Sequence, residues 1–279
     1  MPLPSKIGTL SPAEVGTLID WAAGEGWNPG LQDAAAFRAA DPDGFLGVFT
    51  DGQLAAGISA VAYGADFGFI GLYICRPDMR GRGHGKAVWD AGMARLAGRT
   101  IGLDGVPEQQ ANYRSMGFVP AYRTFRLSGR AVIAADMPGS VSPITADLLP
   151  GVAAFDRLFF PAPRPAFLQA WLASPHFALT AIDGDAVRGY GVARACREGF
   201  KIGPLFARDQ TTATALFAAL SEACDGDIHI DVPETNRGFT DFLLAGGMSK
   251  GFETMRMYVG AAPQTEQAGI FGVTSLELG

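Results

Sequence analysis

The period of apolar positions changes several times along the first part of the chain, and each change marks an element. Over Pro12 to Ala23 apolar residues recur with helical spacing, and Asp33 to Ala40 reads as a second helix. Phe45 to Phe49 and Leu54 to Tyr63 read as strands joined by Asp51-Gly52, a dipeptide suited to a tight hairpin turn. Phe69 to Cys75 is a further strand, running into a helix predicted over Gly83 to Leu96. Ile101 to Leu103 and Tyr122 to Leu127 are expected to complete this sheet, flanking a short helix at Glu108 to Met116. The run from Leu54 to Cys75 is apolar enough to consider as a membrane span. Asp66 and four glycines (Gly57, Gly64, Gly68, Gly71) interrupt it, which fits paired strands better.

The same markers then return in order. Pro42 and Phe45 recur as Pro175 and Phe177, the turn Asp51-Gly52 as Asp183-Gly184, and Gly57 as Gly189, with the glycines offset by 132 residues. Ile70-Gly71 and Arg76 recur as Ile202-Gly203 and Arg208 at that offset. Asp104-Gly105-Val106-Pro107-Glu108 is answered by Asp231-Val232-Pro233-Glu234. Gly117-Phe118 before Thr124-Phe125-Arg126-Leu127 is answered by Gly247-Met248 before Thr254-Met255-Arg256-Met257. So many markers in one order predict two copies of one α/β fold, each with helices, a hairpin-linked set of strands, then strand, helix, strand, helix and strand. The expected division is 1–128, a linker at 129–143 containing Pro138, Gly139, Ser140 and Ser142, and 144–279.

Composition narrows the class. A chain of 279 residues that is 48% hydrophobic and 18% charged is not disordered, and its 37 glycines lack the three-residue period of collagen. A net charge of -6 argues against a nucleic-acid partner held by bulk electrostatics and leaves a small molecule or a protein. Cys75, Cys196 and Cys224 have no C-x-x-C spacing, and His84, His176 and His229 lie far apart, so neither a disulfide framework nor a metal site is expected. The start, Met1-Pro2-Leu3-Pro4-Ser5-Lys6, lacks a long apolar run. These features predict a cytoplasmic, soluble protein without a membrane partner.

The strongest chemical signal is Arg80-Gly81-Arg82-Gly83-His84-Gly85-Lys86, between an apolar strand and a helix. Backbone amides free of Cβ atoms and backed by a helix dipole form a phosphate cradle. Counting rejects two familiar motifs. G-x-x-x-x-G-K-[ST] would need glycine at Arg80 and a hydroxyl at Ala87, and G-x-G-x-x-G would need glycine at Lys86 or Val88. A thiol nucleophile built from Cys75 and His84 lacks a third orienting group.

At these residues the sequence resembles the GNAT superfamily of N-acetyltransferases, whose acetyl-CoA motif [QR]-x-x-G-x-[GA] is filled by Arg80, Gly83 and Gly85. The resemblance extends back through Leu72-Tyr73-Ile74-Cys75-Arg76-Pro77 and forward to Tyr113-x-x-x-Gly117-Phe118, and covers residues 1–128. It implies two tandem GNAT-like domains, each a mixed, mostly antiparallel sheet flanked by helices. It also implies transfer of an acetyl group from acetyl-CoA to a primary amine of a small molecule or peptide, by direct attack in a ternary complex. The pantetheine arm would lie along Leu72, Tyr73, Ile74 and Cys75, and the pyrophosphate on amides from Arg82 to Lys86, with Arg80, Arg82 and Lys86 supplying charge beside Gly81, Gly83, His84 and Gly85. Tyr113 matches the family's usual acid. Asp104 is either the base or a turn aspartate. Glu25, Trp27 and Asn28 form either the acceptor pocket or a tight turn. A non-catalytic CoA-binding or regulatory module and a transferase of a longer acyl group are the alternatives.

In the second copy the loop reads Arg208-Asp209-Gln210-Thr211-Thr212-Ala213-Thr214; its glycines are gone and Asp209 would repel a pyrophosphate. This half resembles the degenerate second domain of certain tandem GNAT proteins and is not expected to bind CoA. Ile270 to Leu278 resembles the closing strand of that group. The second copy would either wall the acceptor pocket of the first or hold its own ligand beside Asp231, Glu234 and Asn236.

Overall fold

The computed structural model describes residues 6–130 and 141–279. The first five residues and positions 131–140, which make up most of the expected linker, lie outside the described residues.

The first half runs β1 (Lys6–Thr9), α1 (Pro12–Gly24), α2 (Asp33–Ala40), β2 (Phe45–Thr50), β3 (Gln53–Tyr63), β4 (Phe67–Cys75), α3 (His84–Arg95), β5 (Thr100–Gly105), α4 (Gln110–Ser115) and β6 (Val119–Gly129). Local chemistry explains the boundaries. Ser11 and Glu14 form a reciprocal capping box at the start of α1, with Pro12 in the first turn, and Val15, Leu18, Ile19 and Ala22 bury one face. Asp51 and Gly52 both adopt positive φ, 53° and 75°, as a two-residue hairpin turn requires.

The second half repeats this plan as β7 (Val141–Pro143), α5 (Leu149–Asp156), α6 (Pro165–Trp171), β8 (Phe177–Asp183), β9 (Ala186–Ala195), β10 (Phe200–Ala207), α7 (Gln210–Glu222), β11 (Ile228–Pro233), α8 (Arg237–Ala245) and β12 (Ser249–Val259). A short β13 (Ile270–Gly272) follows. Only these three residues of the expected strand Ile270–Leu278 are extended into the sheet; the rest turns away.

All strands join one sheet, in the order β1-β2-β3-β4-β5-β12-β6-β11-β10-β9-β8-β7, with β13 paired to β10. Pairing is antiparallel except for β4 with β5 and β10 with β11. The order is symmetric about the β12–β6 seam and corrects one expectation. Tyr122–Leu127 does not complete the sheet of its own half, because β6 lies between β11 and β12, while β12 lies against β5. Each half has given its last strand to the other.

Charges fix the exchange. Arg126 on β6 holds both oxygens of Asp231 on β11, at 2.8 and 3.0 Å, and Arg256 on β12 holds both oxygens of Asp104 on β5, at 2.9 and 2.7 Å. Buried ion pairs that lose one partner are costly, so these act as register locks. A third pair, Arg194 with Asp33, ties β9 to α2, and Phe37 stacks on Trp171 across the halves at 5.9 Å. Among the described residues no helix is long and apolar enough to cross a membrane.

Candidate active site

The site begins with a fault in β4. Its register against β3 passes from Ser59↔Gly71 to Gly57↔Ile74, so Leu72 and Tyr73 together face Ile58. Leu72 takes φ 45°, unusual outside glycine, and this bulge bends the strand. Parallel pairing with β5 covers Phe67–Ile70 against Thr100–Leu103 and ends there. Past Ile70 the two strands part.

A cavity of about 640 Å³ occupies the gap. Leu72, Tyr73, Ile74 and Cys75 form one wall, and Leu103, Asp104, Val106 and Tyr113 the other. Glu25 and Trp27 close it from the segment after α1; Phe252, Thr254, Leu276 and Glu277 close it from the second half.

At one end lies the glycine loop. Gly81 and Gly83 have φ of 77° and 85°, values that side chains rarely adopt, and Gly83 is the N-cap of α3 with no side chain capping the helix. The first-turn amides of α3 therefore have no side-chain acceptor and suit an anion. A Cβ at Gly85 would stand 3.0 Å from the Tyr73 hydroxyl. Arg80 bonds the Cys75 carbonyl at 3.0 Å and the Glu25 carboxylate at 2.5 Å, while Lys86 pairs with Asp90 on the next turn. These pairs are exposed, and such pairs contribute about 0–1 kcal/mol, so a phosphate can replace them. His84 opens the helix and is buried.

The remaining sequence-predicted residues divide. Tyr113 is 9% exposed and stacks on Trp89 at 5.4 Å; its hydroxyl makes no hydrogen bond among the described residues. Burial, with a smaller contribution from Tyr73, raises its pKa, so it stays protonated at neutral pH. Burial likewise raises the Cys75 thiol against the lowering influence of Arg80 and the Gly85 amide, which suits a wall residue better than a nucleophile. Asp104 faces the cavity, yet both of its oxygens are bound by Arg256 and its side chain is fully buried. It clamps β5 to β12, with one lone pair of each oxygen taken by the guanidinium. Asn28 does not reach the cavity either: its amide exchanges two hydrogen bonds with the Glu198 backbone, joining the halves. Glu25 and Trp27 do line the cavity.

Glu277 was not identified from the sequence. It lies at the cavity edge, 4% exposed, with its carbonyl accepting from Ser59 Oγ at 3.2 Å. The available signal was the single charged residue of the closing segment Ile270 to Leu278.

The second half shows what happened to the equivalent site. β10 breaks register between Ile202 and Leu205, and its parallel pairing with β11 covers only Phe200–Ile202. Here β13 enters the opening, pairing with Leu205 and Phe206, and Val273 donates to the Asp231 carbonyl at 3.0 Å. At the N-terminus of α7 the Asp209 carboxylate accepts from the Thr212 amide at 2.8 Å. The slot and the anion position are thus both occupied by the chain itself. Leu243, four residues before Gly247, stands where the first half has Tyr113. At the alternative ligand position beside Asp231, Glu234 and Asn236, those side chains bond Arg126, Arg123 and the Ile270 carbonyl.

Comparison with known proteins agrees with this geometry. Residues 13–118 match the sequence model of the Acetyltransferase (GNAT) family and residues 152–272 that of an Acetyltransferase (GNAT) domain. The holothin acyltransferase of Pseudoalteromonas sp. (strain SANK 73390) is 35% identical over 263 residues, covering 93% of this chain and 90% of its own length. Among solved structures, a putative acetyltransferase from Pyrococcus horikoshii superposes with TM-score 0.82 at 20% identity, over 99% of this chain and 96% of its own. A tandem GNAT protein from the clavulanic acid biosynthesis pathway superposes with TM-score 0.63 at 14% identity, over 94% and 100%.

Proposed function

The chain belongs to the GNAT acyltransferases and carries two GNAT domains in tandem, and from that premise we propose that its first half transfers an acetyl group from acetyl-CoA to a primary amine. The observation that carries this reading is the contrast between the two slots. In the first half the strands part and the α3 amides are uncapped, whereas in the second half both features are filled by protein. Three glycines, Arg80, Arg82 and Lys86 suit the pyrophosphate, and the wall Leu72–Cys75 suits the pantetheine arm.

Acetyl-CoA supplies the thioester when bound. An acceptor like a lysine amine, of pKa about 10.4, is almost wholly protonated at pH 7, so attack requires a group that removes a proton. Tyr113, kept neutral by burial, offers its hydroxyl proton to the departing sulfur. The acceptor approaches between Trp27 and the segments from the second half, so that half serves as a wall.

A CoA-release screen tests the reading. Holothin, the acceptor named for the relative, is tried first, followed by polyamines, amino acids, aminoglycosides and peptide N-termini, each with acetyl-CoA and with longer acyl donors. Turnover with acetyl-CoA and an amine supports it. CoA binding without turnover on any amine would replace it with the regulatory-module reading, and turnover only with longer donors would replace the acetyl group.

A further inference from the structure

We infer that Glu277, from the closing segment of the second half, is the base that takes the proton from the acceptor amine in the active site of the first; this rests on the transferase reading above. The buried carboxylates Asp33, Asp104, Asp156 and Asp231 each bind an arginine directly, with Arg194, Arg256, Arg164 and Arg126 as partners. Glu277 is also buried, at 4% exposed, but has neither a side-chain hydrogen bond nor an ion pair among the described residues. Arg126, Arg194 and Lys201 each feel its negative charge, and Lys201 is the cation of that group with no carboxylate bound to it, its ammonium donating to the Trp27 carbonyl at 3.1 Å. Arg126 and Arg194 are already neutralised by Asp231 and Asp33, and Glu25 and Asp104 are the carboxylates across the cavity. Glu277 and Lys201 thus share one charged cluster with no direct contact between them among the described residues.

Its position is fixed at the fault in β4. A Cβ on Gly71 would stand 2.1 Å from the Glu277 carbonyl, so the tail passes against the residue preceding the bulge, where the slot opens. Thr254 Oγ1, from the same half, is buried on the cavity wall without a partner. An ammonium donor at the Glu277 carboxylate would supply the hydrogen bonds that this side chain lacks. Trp27, Phe252 and Leu276 surround this end with apolar surface. The fitting acceptor therefore carries its amine on a largely apolar body.

The balance is simple. The amine loses one proton to Glu277 and its nitrogen bonds the acyl carbon; the carbon–sulfur bond breaks, and the sulfur takes a proton from Tyr113. A second N–H proton leaves the nitrogen for solvent as the amide forms. Glu277 releases its proton to solvent and Tyr113 regains one, leaving amide and free thiol.

The test uses the full chain with acetyl-CoA and holothin, or the first amine that turns over in the screen. Glu277→Gln keeps the shape and removes the base. The expected result is a fall in kcat of about 100-fold or more and loss of the acidic limb of the pH profile, with CoA affinity by calorimetry within about two-fold. Glu277→Asp should recover part of the rate. A merely structural residue would instead lower thermal stability or CoA affinity and leave the shape of the pH profile unchanged, which overturns the assignment, as does unaltered turnover in Glu277→Gln. No turnover of the unaltered chain with any amine overturns the transferase reading and this inference together.

Discussion

Exchange of the last strands makes the first half dependent on the second, and residues 1–130 expressed alone test that dependence. In the intact chain Phe125 and Leu127 of β6 are buried in the core of the second half, among Val232, Ile230 and Phe217. Met257 of β12 is fully buried in the core of the first half, beside Leu103 and Phe118. The fragment exposes the first two side chains, at about 1.5–3 kcal/mol each. It also loses Met257 from its core, which by analogy with large-to-small core substitutions costs about 2–5 kcal/mol. The total, about 5–11 kcal/mol, matches the whole stability of an ordinary domain, about 5–15 kcal/mol. In addition β5 and β6 acquire open edges that invite association. Far-UV circular dichroism, thermal melting and size-exclusion chromatography should therefore find a fragment that aggregates, or dimerises by trading β6, without the cooperative melt of the intact chain. A monomeric fragment melting cooperatively within about 5 °C of the full protein would show that β6 can return to β5, and would refute the reasoning.

Other outcomes follow from named contacts. Tyr113→Phe should lower kcat by about 10- to 100-fold in CoA-release assays while calorimetric CoA affinity is retained, since only the hydroxyl is lost. Gly83→Ala places a side chain at φ 85° on the α3 N-cap, and with Arg82→Glu as a second route it should weaken CoA binding at least about ten-fold by calorimetry. Arg194→Met leaves Asp33 buried without its partner and should destabilise by about 3–5 kcal/mol in urea unfolding; adding Asp33→Asn should recover part of the loss. Burial, with Arg126 and Lys201, lowers the His229 pKa below its unfolded value of about 6.5. The unfolded chain then binds the extra proton first, so this contribution is present above about pH 6.5 and is lost as pH falls toward the folded value; urea unfolding from pH 7.5 to 5 should show a shallower loss in His229→Gln.

The elements of each half were legible because they depend on local chemistry. Ser11, Glu14 and Pro12 mark the start of α1, Asp51-Gly52 marks a hairpin, and the predicted limits of α2 agree with those found. The glycine loop was legible because positive φ at Gly81 and Gly83 has few solutions other than glycine. Partners across the halves were not. Asp104 precedes Arg256 by 152 positions, and nothing near Asp104-Gly105 distinguishes a turn aspartate from one half of an ion pair. The exchange of β6 and β12 was hidden for a related reason: alternation places a strand in a sheet but does not say which neighbour it joins. β1, a four-residue edge strand that is largely exposed, had too little apolar pattern to be read.

The occupied slot of the second half has a thermodynamic consequence. β13 is tethered to β12 by the ten residues 260–269 and sits in the opening between β10 and β11 as an intramolecular ligand. A short flexible tether sets an effective concentration of order mM, so a free molecule would have to outcompete a partner that is never diluted. Saturating cofactor should accordingly bind once per chain, and its stabilising effect should follow the linkage law for a single site. The second half already holds, within its own chain, the stabilisation that the first half would draw from a ligand in solution.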